Sequence, residues 1–458
     1  MSCDHDPARM HTFDPKLVGT VLGYVTERLS LAETPVDGLG DRAAMEEAIA
    51  GLIDDAPKDP RAVLDVYVDY LADTIMSADS PRFYAFIPAA PTKASLLFDM
   101  VVSAASLQGC SWLEAAGAVM AENQALRVMA DIAGMPASTG GVFVSGGSAG
   151  NLSALVVARD SALMSRPHLR NQRPRVVVSD QAHSSIANAL NITWMEPLVV
   201  STRDGHMTKA DIEAALVGHD LGSVVAIVAT AGTTNAGIID NINDAADVAE
   251  NHGWWLHVDG AYGGAGMLDE RIRHRYSGIE RANSLVMDPH KWWFAPFDSA
   301  ALLYRDPHLA KAVHTQDASY LDVIHTDDAD LNPSDLAYHL TRRARGMALW
   351  FSLAVNGLDA YRDAVKQGID IARYAADQIS ANPQLELIRE PELSVVLFRV
   401  PGWDAQDYQA WSDRLLQQQL AFVTPSKWND ETVGRLAFLH PGTTRSMVDE
   451  VLADLEVN

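Results

Sequence analysis

Cysteine is nearly absent from this chain. Cys3 and Cys110 are the only two in 458 residues, which excludes a disulfide scaffold and suits a reducing cytoplasm. Long apolar runs are also missing, and none approaches the roughly 20 residues needed to span a bilayer. The opening stretch "MSCDHDPARMHTFDP" has no apolar signal core, so no export is expected. Basic residues are scarce, with 35 Lys and Arg against 60 Asp and Glu and a formal net charge of −25. Such a surface repels nucleic acid and anionic membranes. Solubility explains it plainly; steering of a cationic partner is the sharper alternative. There is no tandem repeat, and no histidine pair at a zinc spacing such as H-E-x-x-H, so no metal is assigned. What remains is 48% hydrophobic and 21% charged. That is an ordinary globular composition, long enough for two or three domains.

The first 75 residues read as helical, with "PKLVGTVLGYVTERLSL" carrying apolar residues at three-to-four spacing. "SADSPRFYAFIPAAPT" has neither period and reads as an ordered connecting loop. "KASLLFDMVVSAASL" and "GAVMAENQALRVMADIAGMP" resume as helices, the second closed by Gly134 and Pro136. From about residue 140 short apolar runs alternate with helical stretches: "GGVFVSG", "PRVVVSD", "GSVVAIVATAG", "GWWLHVDGA", "NSLVMDPH" and "SAALLYRD". Runs of this kind mark strands buried on both faces of a mainly parallel sheet in an α/β domain. After "TRRARGMALWFSLAVNGLDAYRDAV" a smaller α+β domain is expected, with strands in "ELSVVLFRV" and "GRLAFLHP". The expected division is a helical segment 1–92, a large domain 93–347 and a small domain 348–458.

Several runs end in residues with chemical potential: Gly147 and Ser148, His183, Thr234, Asp259 and Lys291. Ligands of open α/β sheets bind beyond the carboxyl ends of the strands, so these groups can converge. "SGGSAGNLS" is a glycine-rich turn feeding a helix, either a plain N-cap turn or an anion site. Asp259 either caps the turn after its strand or meets a cation out of bulk water. His183 is either a satisfied core histidine or a flat stacking platform. His257, two residues before Asp259, reads as structural or as a support behind the site residues. Lys291, in "DPHKWW", decides among these. Burial is expected to favour its neutral amine, which can condense with a carbonyl. An anion-binding turn, a buried acid, a flat histidine and a reactive lysine together suit pyridoxal phosphate (PLP).

At "SDQAHSS", "HVDGAYGG" and "DPHKWW" the chain resembles the group II PLP-dependent amino acid decarboxylases. The resemblance runs from "SPRFYAFIPAA" to "RRARGMALWF", with weaker support from "GRLAFLHPGTT". It implies the aspartate-aminotransferase-like type I fold, with a seven-stranded sheet, and a homodimer with composite sites across which the N-terminal helices pack. Lys291 would hold the cofactor as a Schiff base and Asp259 would pair with its pyridinium nitrogen. His183 would stack on one ring face, with Ala261 against the other. Gly147 and Ser148 would bind phosphate, Thr234 would lie near the ring substituents, and His290 near the phosphate and the lysine. Tyr320, in the polar stretch "HTQDASYLDVIHTDDADLNPSDL", matches the tyrosine of the family's mobile loop. That tyrosine is the expected donor of a proton to the α-carbon, which favours an amine product.

The substrate side departs from the aromatic decarboxylases of animals and plants. Phe86 stands where they have a pocket tyrosine, Ile87 replaces an aromatic residue, and Pro88 continues the pocket segment. Cys110 takes the place of a phenylalanine given by the partner subunit. No arginine stands in 84–92 to pair with an acidic side chain. The expected activity is therefore α-decarboxylation of an aromatic or hydrophobic L-amino acid in the cytoplasm. A glutamate- or diaminobutyrate-type decarboxylase is one alternative. A PLP-dependent aldehyde synthase or lyase of the same fold is another, and a non-catalytic binding protein a third. Asp288 is the odd residue: a carboxylate beside a phosphate repels it, so its side chain is expected to face elsewhere.

Overall fold

The structure is a computed structural model that describes residues 8–87, 90–316, 319 and 331–457. Three helices open it: α1 (Pro15–Ser30), α2 (Arg42–Ile49) and α3 (Pro60–Val66). Each starts at an aspartate whose side chain accepts backbone N–H groups of the first turn. Helices α4 (Lys93–Ala104) and α5 (Trp112–Ile132) follow, capped by Thr92 and Ser111. No helix among the described residues is long and apolar enough to cross a membrane.

The large domain is built on seven strands: β1 (Gly140–Val144), β2 (Arg175–Ser179), β3 (Glu196–Val200), β4 (Val224–Thr230), β5 (Trp255–Asp259), β6 (Ser284–Met287) and β7 (Ala300–Tyr304). They lie in the order β1-β7-β6-β5-β4-β2-β3, and only β7 runs against its neighbours. All seven residues of β4 are buried. Burying a valine or isoleucine side chain fully contributes about 1.5–3 kcal/mol. The sheet alternates strictly. One face carries Phe143, Val177, Ile227, Val258 and Leu285 against α5 and α9 (Ile242–His252), while α8 (Lys209–Leu216) joins that core through Ile212. The other carries Val144, Val178, Val228 and Val286 against α6 (Gly147–Ser165), α7 (Ser184–Ile192) and α10 (Pro307–His314).

Helix α11 (Met347–Ala381) begins in the large domain and ends in the small one. Gly357, at φ 72°, interrupts its helical geometry. The small domain is an antiparallel sheet, β10-β11-β9-β8. Its strands are β8 (Glu386–Leu387), β9 (Val395–Arg399), β10 (Ser426–Trp428) and β11 (Glu431–Ala437). Helices α12 (Ala405–Gln417) and α13 (Arg445–Ala453) cover it.

The six strand runs expected in the large domain are present, and β3 is the addition. Its burial alternates, with Pro197 and Val199 exposed, so "EPLVV" lacks the unbroken apolar signature of its neighbours. The register explains why chemistry gathers on one edge. Thr230 pairs with Asp259 and Asp259 with Val286, so β4, β5 and β6 end level. Strand β1 points the same way, because two antiparallel steps through β7 restore its direction.

Candidate active site

Beyond that carboxyl edge lies a cavity of about 180 Å³. Gly147, Ser148, His183, Thr234, Asp259, Ala261, His290 and Lys291 all line it. They come from the ends of five strands, β1, β2, β4, β5 and β6, or from the turns after them. Trp292 and Trp293, 0% and 1% exposed, wedge the lysine turn into the core, and Trp292 stacks on Tyr262 at 5.4 Å.

The Asp259 carboxyl group is held on both sides. The Ala261 N–H donates to its Oδ1 (3.1 Å) and Asn151 Nδ2 to its Oδ2 (2.9 Å). Asn151 sits on α6 one turn after Gly147, and His257 Nε2 donates to its Oδ1 (2.8 Å). His257 Nδ1 in turn meets the Ser284 hydroxyl (2.8 Å). Burial pushes the His257 pKa down to about 4, so the ring is neutral at pH 7. His257 therefore reaches the acid through Asn151, which the strand-end pattern did not reveal. Its only sequence signal is its place one helical turn from Gly147. His183 caps α7: its Nδ1 accepts the Ser185 N–H (3.2 Å), which fixes the ring at the mouth of β2.

Lys291 and Asp288 correct two expectations. Asp288 does not face elsewhere. It is 1% exposed, and its Oδ2 lies 3.0 Å from Lys291 Nζ and 3.4 Å from His290 Nε2. The Gly147 N–H also donates to that oxygen (3.2 Å). Burial alone would lower the Lys291 pKa, but Asp288 and then Asp259 outweigh it and raise the pKa instead. Burial likewise opposes the charge on Asp288. Lys291 and His290 outweigh it and hold the carboxyl below its ordinary range. The pairing with Asp288 thus favours the ammonium form of Lys291 over the neutral amine.

The substrate-side residues are less gathered. Phe86 is 61% exposed at φ 49°, and Ile87 packs into the core at 9%. Neither lines the cavity. Cys110 is 2% exposed, covered by its own chain, so its thiol does not stand free to reach a partner. Pro88 and Tyr320 lie outside the described residues. An arginine does reach the pocket segment, although 84–92 contains none: Arg435, from β11, donates to the carbonyls of Phe86 (2.8 Å) and Thr234 (2.7 Å).

Two features leave room for a polar ligand. Among the described residues, Thr230 Oγ1, which can donate, and Asp288 Oδ1, which needs a donor, are buried at the cavity without a hydrogen-bond partner. A Cβ on Gly147 would come within 2.9 Å of Asp288 Oδ2 and 3.0 Å of Ala261 Cβ, so only glycine leaves the helix start open.

The pyridoxal-dependent decarboxylase conserved domain matches residues 46–401. The chain belongs to that family. It is a PLP-dependent amino acid decarboxylase. An aromatic-L-amino-acid decarboxylase of Bacillus atrophaeus is 27% identical, across 93% of this chain and 91% of the relative. An L-2,4-diaminobutyrate decarboxylase of Rhizobium meliloti is 31% identical, across 78% of this chain and 74% of the relative. The fold matches that of Oryza sativa TDC, solved with PLP and tryptamine, at a TM-score of 0.89 and 22% identity, covering 97% of this decarboxylase and 98% of that chain.

Proposed function

We propose that this decarboxylase releases CO2 from an aromatic or hydrophobic L-amino acid and yields the amine. The observation that carries the reading is the chemistry of the 84–92 segment, which has no charged side chain and has Phe86 and Ile87 at its tip. The aromatic substrate class of the Bacillus relative supports it. When bound, PLP supplies an electron sink for the pair left at the α-carbon as CO2 departs. Lys291 would hold the cofactor covalently, and Asp259, oriented by Asn151, would keep the pyridine nitrogen protonated. His183 would lie against one face of the ring and position the substrate carboxylate, with Ala261 against the other face. Gly147 and Ser148 would bind the phosphate beside His290, and Thr234 would flank the ring substituents. Tyr320 would deliver the proton to the α-carbon.

The same proposal includes a homodimer. Helix α1 has no buried residue, and Leu17, Val18, Val21 and Leu22 are 37–45% exposed along it. An apolar helix face of this kind calls for a cover, and a second copy supplies one. A cytoplasmic location accords with the two cysteines and completes the proposal. The 31% identity to a diaminobutyrate decarboxylase favours a second reading, a cationic substrate. The test is CO2 release and product identity across the amino acids, including 2,4-diaminobutyrate and glutamate. Preference for tryptophan, tyrosine, phenylalanine or leucine is expected; preference for a charged substrate overturns the proposal.

A further inference from the structure

We propose that Asp288 recognises the cofactor phosphate as a neutral carboxylic acid, carrying a proton that it takes from Lys291. This rests on the cavity being the PLP site.

The geometry leaves little alternative. The first turn of α6 is where a phosphate finds backbone N–H donors and the positive end of a long helix. A carboxylate of the chain already sits there. Both Asp288 oxygens lie within about 3 Å of where a Gly147 Cβ would stand, at 2.9 and 3.1 Å. Oδ2 takes the Gly147 N–H, and Oδ1 is buried with no partner among the described residues. The Ser299 N–H donates to His290 Nδ1 (3.0 Å), so the ring's own proton is on Nε2, turned toward Asp288. The turn thus presents the donor set of an anion site, with an internal anion in it.

A phosphate arriving there meets a negative charge at contact distance, which is strongly unfavourable away from bulk water. Asp288 cannot withdraw. Its side chain is 1% exposed and held by Lys291 Nζ (3.0 Å) and the Gly147 N–H (3.2 Å), while its backbone is tied to Ala261 O (3.0 Å) and to the Lys291 N–H (2.9 Å). Moving it would undo the turn that carries the lysine. A proton between the two anions removes the clash, and the carboxyl beside Lys291 is where the chain can place one. Among the described residues the charged or titratable groups around it are Lys291 and His290 from its own turn and, beyond Lys291, Asp259 from β5, with His183 and Tyr262 further along the cavity wall; α6 presents only the uncharged Gly147, Ser148 and Asn151.

The proton source is 3.0 Å away. Lys291 Nζ passes one proton to Asp288 Oδ2; the lysine becomes the neutral amine that can attack an aldehyde, and Asp288 becomes an O–H donor to a phosphate oxygen. One water leaves as the covalent link forms, and no further reactant is needed.

The test is infrared difference spectroscopy of the protein loaded with PLP against the PLP-free protein. Loading itself is read by the yellow colour and its loss on borohydride reduction, so a failure to bind PLP is distinguished from a failure of this proposal. The expected result is a new carbonyl band of a protonated carboxylic acid on loading, absent in Asp288→Asn. Should that variant not fold, carbon-13 aspartate in the wild type serves instead, and the band should shift with the label. A loaded protein with no such band overturns the proposal. So does a band that survives Asp288→Asn or ignores the label.

Discussion

Asn151→Ala should cost both stability and rate, for one structural reason. Asn151 is 1% exposed and joins three groups: it donates to Asp259 Oδ2 (2.9 Å) and Ser185 Oγ (3.1 Å) and accepts from His257 Nε2 (2.8 Å). Truncation leaves the His257 Nε2–H, on a fully buried ring, without an acceptor. A buried donor orphaned in this way costs about 1–3 kcal/mol, and a lost bond to a carboxylate about 1.5–3 kcal/mol. A water entering the polar gap would recover part of this. The expected loss is therefore about 2–5 kcal/mol, read as a lower urea midpoint at unchanged slope. On the catalytic side Asp259 keeps, among the described residues, the Ala261 N–H as its one hydrogen-bond donor. A carboxyl group free to rotate no longer aims at a fixed point, so kcat should fall by about tenfold or more while KM moves little. Asn151→Asp should be worse, since it sets a second carboxyl 2.9 Å from the first. A stability loss below about 1 kcal/mol together with an unchanged kcat would refute the network.

Lys291→Ala should abolish turnover and the borohydride-reducible colour together; activity in that variant removes the lysine from the mechanism. Asp259→Asn should lower kcat about 10²-fold or more, as for loss of one strong electrostatic stabiliser, and a near-normal kcat would make the acid structural. Tyr320→Phe keeps the ring and removes only the hydroxyl group that carries the proton. Amine formation should therefore fall while substrate binding holds, and an unchanged amine rate means that another group is the donor. His206 bridges the domains, with Nε2 2.7 Å from Glu392 Oε1 and Nδ1 3.0 Å from Asp204 Oδ1. The bond to Glu392, against the opposing pull of burial, raises its pKa above 6.5. A raised folded pKa gives stability that is full below the unfolded value and is lost as pH climbs through the folded one. The stability margin of wild type over His206→Gln should accordingly shrink from about pH 6.5 upward, and parallel pH profiles of the two would rule this out.

What could be read along the chain was whatever depends on local pattern. Strand β4 shows itself because all seven residues are buried, and a strand covered on both faces is apolar throughout. The ends of such strands share an edge, so Gly147, Ser148, His183, Thr234, Asp259 and Lys291 could be expected to meet, and they line one cavity. Edge strand β3 was lost because half its side chains face out, and β8 and β10 because two or three residues make no period. The pairing of Lys291 with Asp288 is hidden in the sequence for a different reason. Burial is visible as surrounding apolar residues, but the side-chain direction of Asp288, three positions earlier, is set by the turn, and that one oxygen reverses the sign.

Arg435 marks the limit of local pattern most clearly. It stands 349 residues from Phe86 and 201 from Thr234, yet one guanidinium nitrogen binds both carbonyls, and Nε reaches Asn235 O at 3.3 Å. Burial pushes its pKa down only to about 10, so it remains charged at neutral pH. Phe86 occupies the left-handed region, which costs a bulky residue energy unless its surroundings hold it there. Arg435 is the hold, a rigid fork that fixes a strained carbonyl from outside its own loop. A lysine would offer a point charge on a flexible stem in place of that fork. The small domain therefore sets the geometry of the substrate-side loop and the ring-side loop at once. A shift of β11 must move both together, so the shape of the pocket depends on how the small domain is seated as well as on the side chains of residues 84–92.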